Sequence, residues 1–155
     1  MIDKKLIGHE FDPITLPVEE GRLRFVAKSI GENNPVYSNP EVAKKMGHPS
    51  LPAPPTFAFM LEIDAVDLED FVAFFGCNLG QLLHGEQGFV YHAPIYAGDR
   101  ITVKKRVADI YDKKNGKLEN ILQIFFKRIF SKQPKSCCIN TLIFFISNKI
   151  PIFKG

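Results

Sequence analysis

The stretch Ser29–Ala43, SIGENNPVYSNPEVA, decides how the chain around it is arranged. Gly31 is a natural helix stop, because glycine readily takes the positive φ angle that closes many helices. Asn39 followed by Pro40 is a strong helix start, since the Asn side chain caps free amides and Pro fits the first helical position. The loop between them carries the polar side chains of Glu32, Asn33, Asn34 and Tyr37. Such a loop either holds side chains against a substrate or only makes turns between two helices.

The helices on both sides of this loop follow from apolar spacing. Val18–Ile30 has apolar residues at helical intervals, which predicts one buried face. The helix that starts at Asn39-Pro40 should bury Val42, Ala43 and Met46. After a stiff proline-rich loop, the segment TFAFMLEID is apolar nearly all round, which predicts a long central helix enclosed by the rest of the fold. A short helix over Asp67–Phe75 follows it.

The rest of the chain predicts strands. GEQGFVYHAP alternates, and Ile101–Tyr111 is rich in Val and Ile. Lys113–Gly116, KKNG, indicates a tight hairpin, and the returning strands are Leu118–Phe130 and Cys137–Ile146, joined across 132–135. Helices followed by a run of hairpin strands predict an α+β fold.

Composition limits the class of protein. At 155 residues we expect a single domain over 1–155, with an atypical composition from about residue 117 onward. No apolar run has the length of a membrane span, and the charged start MIDKKLIGHEFD lacks a signal core, so we expect a cytoplasmic protein. Three cysteines, Cys77, Cys137 and Cys138, have neither zinc nor disulfide spacing. Without ligands at metal-binding spacing, we expect no metal. The net charge of +3 is not accompanied by a nucleic-acid-binding motif, so we expect no nucleic-acid partner.

The loop resembles the hydratase motif of MaoC-like dehydratases and R-specific enoyl-CoA hydratases. That motif reads Gly-Asp-x-Asn-Pro-aliphatic-His and, after a spacer, a small residue. The matching positions are Gly31, Asn34, Pro35, Val36 and Ala43. Glu32 stands where the family has its catalytic Asp, and Tyr37 where it has its catalytic His. The stretches APPTF, LHGEQ and YHAPIYAGD extend the similarity to about Gly116.

The resemblance implies a hot-dog fold, in which a curved antiparallel sheet wraps a central apolar helix. It also implies an acyl-CoA or acyl-carrier-protein thioester as ligand, and no cofactor beyond the one the substrate carries. The implied catalytic positions are Glu32, Asn34 and Tyr37. The implied substrate-binding positions are Pro55, Thr56, Phe57, His84, Glu86, Gln87 and His92.

Both dyad positions depart from the family. A phenol titrates near pH 10 and is a poor base, whereas an imidazole is poised near neutrality. Glu32 adds a methylene, which displaces its carboxylate by about an ångström. We therefore expect a substrate-holding subunit. It would form a heterodimer with a dyad-bearing hot-dog chain, or a homodimer.

Three other functions stay open at this point. The chain is a self-sufficient hydratase if Glu32, or the pair Glu86 and His84, replaces the dyad, because residues two apart on a strand share a face. It is a non-catalytic acyl-CoA binding module if no group acts on the substrate. A hot-dog thioesterase would use Glu62, which is the acidic residue available near the middle of the central helix.

Overall fold

The structure is a computed structural model that describes the backbone of residues 2–111, 120–130 and 138–146 and the side chains of residues 2–111. The expected hairpin at Lys113–Gly116 and the connection across 132–135 lie outside the described residues. The helices are α1 Glu20–Ser29, α2 Pro40–Lys45, α3 Phe57–Asp64 and α4 Leu68–Phe74. The strands are β1 Ile14–Pro17, β2 Leu82–Tyr91, β3 Arg100–Tyr111, β4 Asn120–Phe130 and β5 Cys138–Ile146. Short 3₁₀ turns cover Lys4–Leu6, Pro35–Tyr37 and Leu79–Gln81.

The strands form one antiparallel sheet with the helices packed against it. Within the described residues its order is β1-β3-β4-β5-β2, so β1 and β2 are the edges. Inward positions of β3 supply the core with Ile101, Val103, Val107 and Ile110. The register shifts between Val107 and Asp109, and this shift is why Ile110 still faces inward. The α+β hot-dog architecture expected from the sequence is confirmed by this arrangement.

The two helices around the polar loop begin and end close to where their sequences predict. Leu23, Val26 and Ala27 are the buried side chains of α1, as expected. In α2, Ala43 is buried, but the expectation for Met46 was wrong, because its side chain is 60% exposed. The helix ends at Lys45, so Met46 is the C-cap residue and lies beyond the regular turns that would direct it inward.

The central helix α3 has eight residues and is shorter than the long helix expected, whereas the short helix expected over Asp67–Phe75 is confirmed as α4. Asp67 starts α4, because its side chain accepts hydrogen bonds from the amides of Glu69 and Asp70. Phe57, Ala58, Leu61 and Glu62 are the buried residues of α3. None of the helices among the described residues is long and apolar enough to cross a membrane.

Gly31→Ala should lower the free energy of unfolding by about 1–2 kcal/mol, because Gly31 has φ +72° and side chains are strained there. Space is not the cause, since a Cβ at Gly31 would meet nothing within 4 Å. Gly21→Ala is the matched control, because Gly21 lies inside α1 with equally open surroundings. This variant should raise the free energy of unfolding by about 0.5–1 kcal/mol. Urea unfolding of both variants measures the difference. Equal effects in the two variants would contradict the strain argument.

Candidate functional site

The polar loop folds back on its own backbone. A carboxylate oxygen of Glu32 accepts a hydrogen bond from the Asn34 amide at 2.8 Å. The Asn34 side chain accepts one from the Val36 amide at 3.1 Å, which starts the 3₁₀ turn Pro35–Tyr37. Val36 is buried, and the Tyr37 ring packs against the core. The groups expected to be catalytic therefore also hold the loop in shape.

The start of α3 is the second place where substrate contacts were expected. Proline at position 55 has no amide hydrogen, and its carbonyl accepts the Tyr91 hydroxyl at 2.7 Å. The Phe57 amide already donates to the Pro54 carbonyl at 2.9 Å, and the Phe57 side chain is part of the core. Thr56 occupies the N-cap position of α3 without a side-chain cap. Of these residues, Pro55 and Thr56 are exposed and can be reached directly by a ligand, whereas Phe57 is buried.

A shallow apolar cavity of about 290 Å³ adjoins Pro55. Its lining residues are Ala53, Pro54, Pro55, Tyr91, Ala93, Pro94 and Ile95. The proline-rich loop and the end of β2 form its walls. Its small, rigid, apolar residues suit an extended, uncharged segment of a ligand.

Four expected site residues, His84, Glu86, Gln87 and His92, lie in or just after β2. Their side chains do not follow the simple alternation between the two faces of a strand. His84 pairs with position 144 and Glu86 with position 143, so Gly85 is an extra residue in a β-bulge. The expectation that His84 and Glu86 share a face was therefore wrong. His84 lies against the Phe59 ring of α3, with ring centroids 5.5 Å apart, whereas Glu86 is exposed. Gln87 is partly buried, and His92 is exposed just beyond the strand.

The main cavity lies between α3, α4 and the sheet and has a volume of about 340 Å³. Its lining residues are Phe59, Glu62, Ile63, Val66, Leu68, Phe71, Leu79, Leu82, His84 and Lys105. Seven of these ten are apolar, and the polar ones come from three elements: Glu62 from α3, His84 from β2 and Lys105 from β3. In the described part of the chain, no His, Cys, Asp and Glu side chains gather as a metal site would require. The cavity is thus an apolar pocket with three polar groups.

Lys105 and Glu62 are the buried charged residues of the described chain. The exposed fractions are 4% for Lys105 and 3% for Glu62. The Lys105 ammonium donates to the Ala65 carbonyl at 3.4 Å and lies 5.7 Å and 5.6 Å from the ring centroids of Phe11 and Phe71. Burial lowers the pKa of Lys105, and the negative charge of Glu62 opposes part of that shift.

From the sequence, Lys105 belongs to a basic run, Lys104–Arg106, that fits either a solvated face or contacts to the polyanionic tail of CoA or phosphopantetheine. A signal was available, because Ile101, Val103 and Val107 share its parity in β3 and all face inward. Lysine in a row of aliphatic residues on one strand face indicates a buried ammonium. Lys104, the next residue, is exposed, as the alternation requires.

Lys105→Met should remove a pH dependence of stability. Because the pKa of Lys105 is lowered from 10.5 in the folded chain, the unfolded chain binds more protons between that lowered pKa and 10.5. The stability of the wild type should therefore rise with pH through this window. Urea unfolding at several alkaline pH values measures the slope. Lys104→Met is the control and should keep it; the same slope in both variants would refute the assignment.

The family of the chain follows from comparison with known proteins. The model of the FAS1-like dehydratase domain region matches residues 5–123, which ends close to where the composition changes. A UPF0336 protein of Streptomyces coelicolor is 39% identical over 113 residues, covering 70% of this chain and 73% of the relative. A UPF0336 protein of Saccharopolyspora erythraea is 40% identical over 113 residues, covering 70% of each chain.

Solved structures of low sequence identity share the fold. A MaoC-like dehydratase superposes with a TM-score of 0.79 at 17% identity, over 92% of this chain and 42% of the other. The C-terminally truncated HadBC complex of Mycobacterium tuberculosis, a 3R-hydroxyacyl-ACP dehydratase, superposes with a TM-score of 0.75 at 19% identity. The superposition covers 90% of this chain and 96% of the other. The matching domain model and the relatives agree, and the chain belongs to the FAS1-like dehydratase domain family.

Proposed function

We propose that this chain is the substrate-holding subunit of a hydratase or dehydratase that acts on an acyl thioester of CoA or of a carrier protein. One observation carries the proposal. An apolar cavity adjoins α3, while the loop at the family's dyad positions offers a phenol and a carboxylate already hydrogen-bonded to its own backbone. The chain therefore has a place for an acyl tail but lacks the imidazole for proton transfer.

The cavity suits an acyl chain because its walls are mainly aliphatic and aromatic. Burying a hydrocarbon chain against Phe59, Ile63 and Leu82 removes apolar surface from water, which favours binding by about 25 cal/mol per Å². A chain held in one orientation also fixes the thioester relative to a catalytic group, which is where much of an enzyme's rate advantage arises.

The missing proton-transfer groups call for a partner, and β2 offers a surface for one. It is an edge strand of the described sheet, and Leu83, Val90 and Tyr91 along it are exposed. An edge strand with exposed apolar side chains is a ready surface for pairing with another chain. We propose that a dyad-bearing hot-dog subunit pairs here, with a homodimer as the other arrangement. The HadBC dehydratase, a complex of two kinds of subunit with the same fold, gives a precedent for the heterodimer.

The test measures hydration of crotonyl-CoA and longer enoyl-CoAs by the purified chain, alone and mixed with a dyad-bearing hot-dog chain from the same source. We expect no turnover by the chain alone and turnover by the mixture. Hydration by the chain alone that Glu32→Ala abolishes would overturn the proposal in favour of a self-sufficient enzyme. Acyl-CoA binding without turnover in either setting would identify a non-catalytic binding module.

The pairing surface is tested separately with two matched edge-strand variants. Val90→Lys places a charge on the exposed edge of β2, and Ile14→Lys places one on the exposed edge of β1. Gel filtration of the mixture should show that Val90→Lys weakens the complex at least about tenfold, whereas Ile14→Lys leaves it intact. The reverse result would move the interface to β1.

A thioesterase is the second candidate function, and one observation favours it. Glu62 is buried on α3 and lines the main cavity, where a carboxylate could act on a bound thioester or its attacking water. Release of free CoA from acyl-CoA, lost in Glu62→Gln, would support this function. If the wild type does not cleave the thioester, the thioesterase function is ruled out.

A further inference from the structure

The main cavity contains a charged group that a plain hydrocarbon ligand would leave poorly satisfied. Lys105 is more than nine-tenths buried, and its ammonium has three protons to donate. Its hydrogen-bond acceptor among the described residues is the Ala65 carbonyl, at a long 3.4 Å. The Phe11 and Phe71 rings stabilise the charge on one side but accept no conventional hydrogen bond. The ammonium therefore has donor capacity beyond that one bond, and Lys105 lines the cavity.

We infer that the cavity binds an acyl chain bearing a neutral oxygen, a hydroxyl or keto group remote from the thioester, which accepts a hydrogen bond from Lys105. The inference rests on the proposed function, because it names the class of acyl chain that the same cavity takes. A buried ammonium gains most from an acceptor when the site is dry, and the walls around Lys105 are aliphatic and aromatic.

The charges in the cavity favour a neutral oxygen over a carboxylate. Glu62 and Lys105 both line the cavity, so the cavity already holds one carboxyl group together with its one ammonium group. A ligand carboxylate would add a negative charge that nothing in the described cavity neutralises, and burying such a charge is costly. A plain hydrocarbon chain is disfavoured for a different reason, because it would displace water from the ammonium without replacing the lost hydrogen bond.

The test is a calorimetric titration of the full chain with matched acyl-CoAs. Octanoyl-CoA is compared with its ω-hydroxy and ω-carboxy counterparts, and hexanoyl, decanoyl and dodecanoyl series are added so that the terminal oxygen reaches different depths. At the best length, the ω-hydroxy ligand should bind about tenfold more tightly than the plain one. The ω-carboxy ligand should bind no better than the plain one.

Two variants assign the preference to Lys105. Lys105→Met should remove the difference between hydroxylated and plain chains while both still bind, whereas Lys104→Met, on the exposed face of β3, should retain it. If Lys105→Met alone fails to fold because Glu62 is left unneutralised, Lys105→Met combined with Glu62→Gln removes both charges and should show the same loss. A hydroxyl preference that survives in these variants would overturn the inference.

The remaining outcomes separate this inference from the proposed function. Plain and hydroxylated acyl-CoAs that bind equally to the wild type would overturn the inference and leave the acyl-binding function standing. Tighter binding of the ω-carboxy chain would also overturn it. If no acyl-CoA binds, free octanol is used as the probe. Thermal stabilisation by octanol that is lost in Lys105→Met would support the inference while the proposed function fails, and no stabilisation would overturn both.

Discussion

Phe57→Ala should lower the free energy of unfolding by about 3–5 kcal/mol, which is a large share of the stability of a domain of this size. Phe57 is 1% exposed and begins α3, so its ring is enclosed by the core at the place where the helix meets the proline-rich loop. Removing the ring leaves a cavity that the stiff Pro54-Pro55 segment is poorly able to close. The loss should also weaken acyl binding, because α3 forms one wall of the main cavity.

The matched control for this prediction is Phe25→Ala. Phe25 lies on the outer side of α1 and is 64% exposed, so the same chemical change should alter stability by no more than about 0.5 kcal/mol. Urea unfolding followed by circular dichroism measures both variants. A loss below about 1 kcal/mol for Phe57→Ala would mean that α3 is not the central element of the core.

Combining Glu32→Asp with Tyr37→His should raise hydration of crotonyl-CoA by the chain at least about a hundredfold. The physical reason is that an imidazole titrates near neutral pH and exchanges protons there, whereas a phenol near pH 10 does not. The shorter carboxylate at position 32 also matches the family's Asp. The loop has the matching turn already, because the Asn34 side chain and Val36 amide shape it independently of both substitutions.

The control keeps Glu32→Asp and changes Tyr37 to Phe, which should give no increase in rate. Acyl-CoA binding is measured alongside, so that a lost ligand is not mistaken for lost chemistry. If the double variant binds acyl-CoA and its hydration rate does not rise, the loop is not a proton-transfer site that lost activity through these two residues. The proposal that the partner supplies the catalytic dyad would then be contradicted.

Local signals in the sequence predicted much of the fold. Gly31 and the Asn39-Pro40 pair placed the ends of α1 and α2, because positive φ and side-chain capping are properties of single residues. The Val- and Ile-rich stretch Ile101–Tyr111 predicted β3 within a residue of its observed start. The expectations that were wrong concerned residues whose environment depends on distant parts of the chain. Met46 was placed inward because the exact end of α2 was unknown, and α3 was expected to be longer because its apolar composition does not show where the helix ends.

The candidate site was less predictable, because it is assembled from elements far apart in the sequence. The resemblance located the loop with Glu32 and Tyr37, but a motif does not show that the carboxylate accepts a hydrogen bond from the Asn34 amide. A single extra residue, Gly85, separates His84 from Glu86 by changing which face each occupies. Strand register depends on the pairing of β2 with β5, which no local pattern reports.

The amino-acid sequence by itself determined the family, the α+β architecture and the presence of Glu32 and Tyr37, with no histidine, in the loop between α1 and α2. These are properties of short segments, since caps, turns and alternation act over a few residues. The tertiary structure alone decided that Lys105 and Glu62 are buried and that, with the more exposed His84, they line an apolar cavity. Three elements meet there only after the sheet has paired and α3 has packed on it, and it is this burial that turns an ordinary surface-type lysine into a desolvated hydrogen-bond donor.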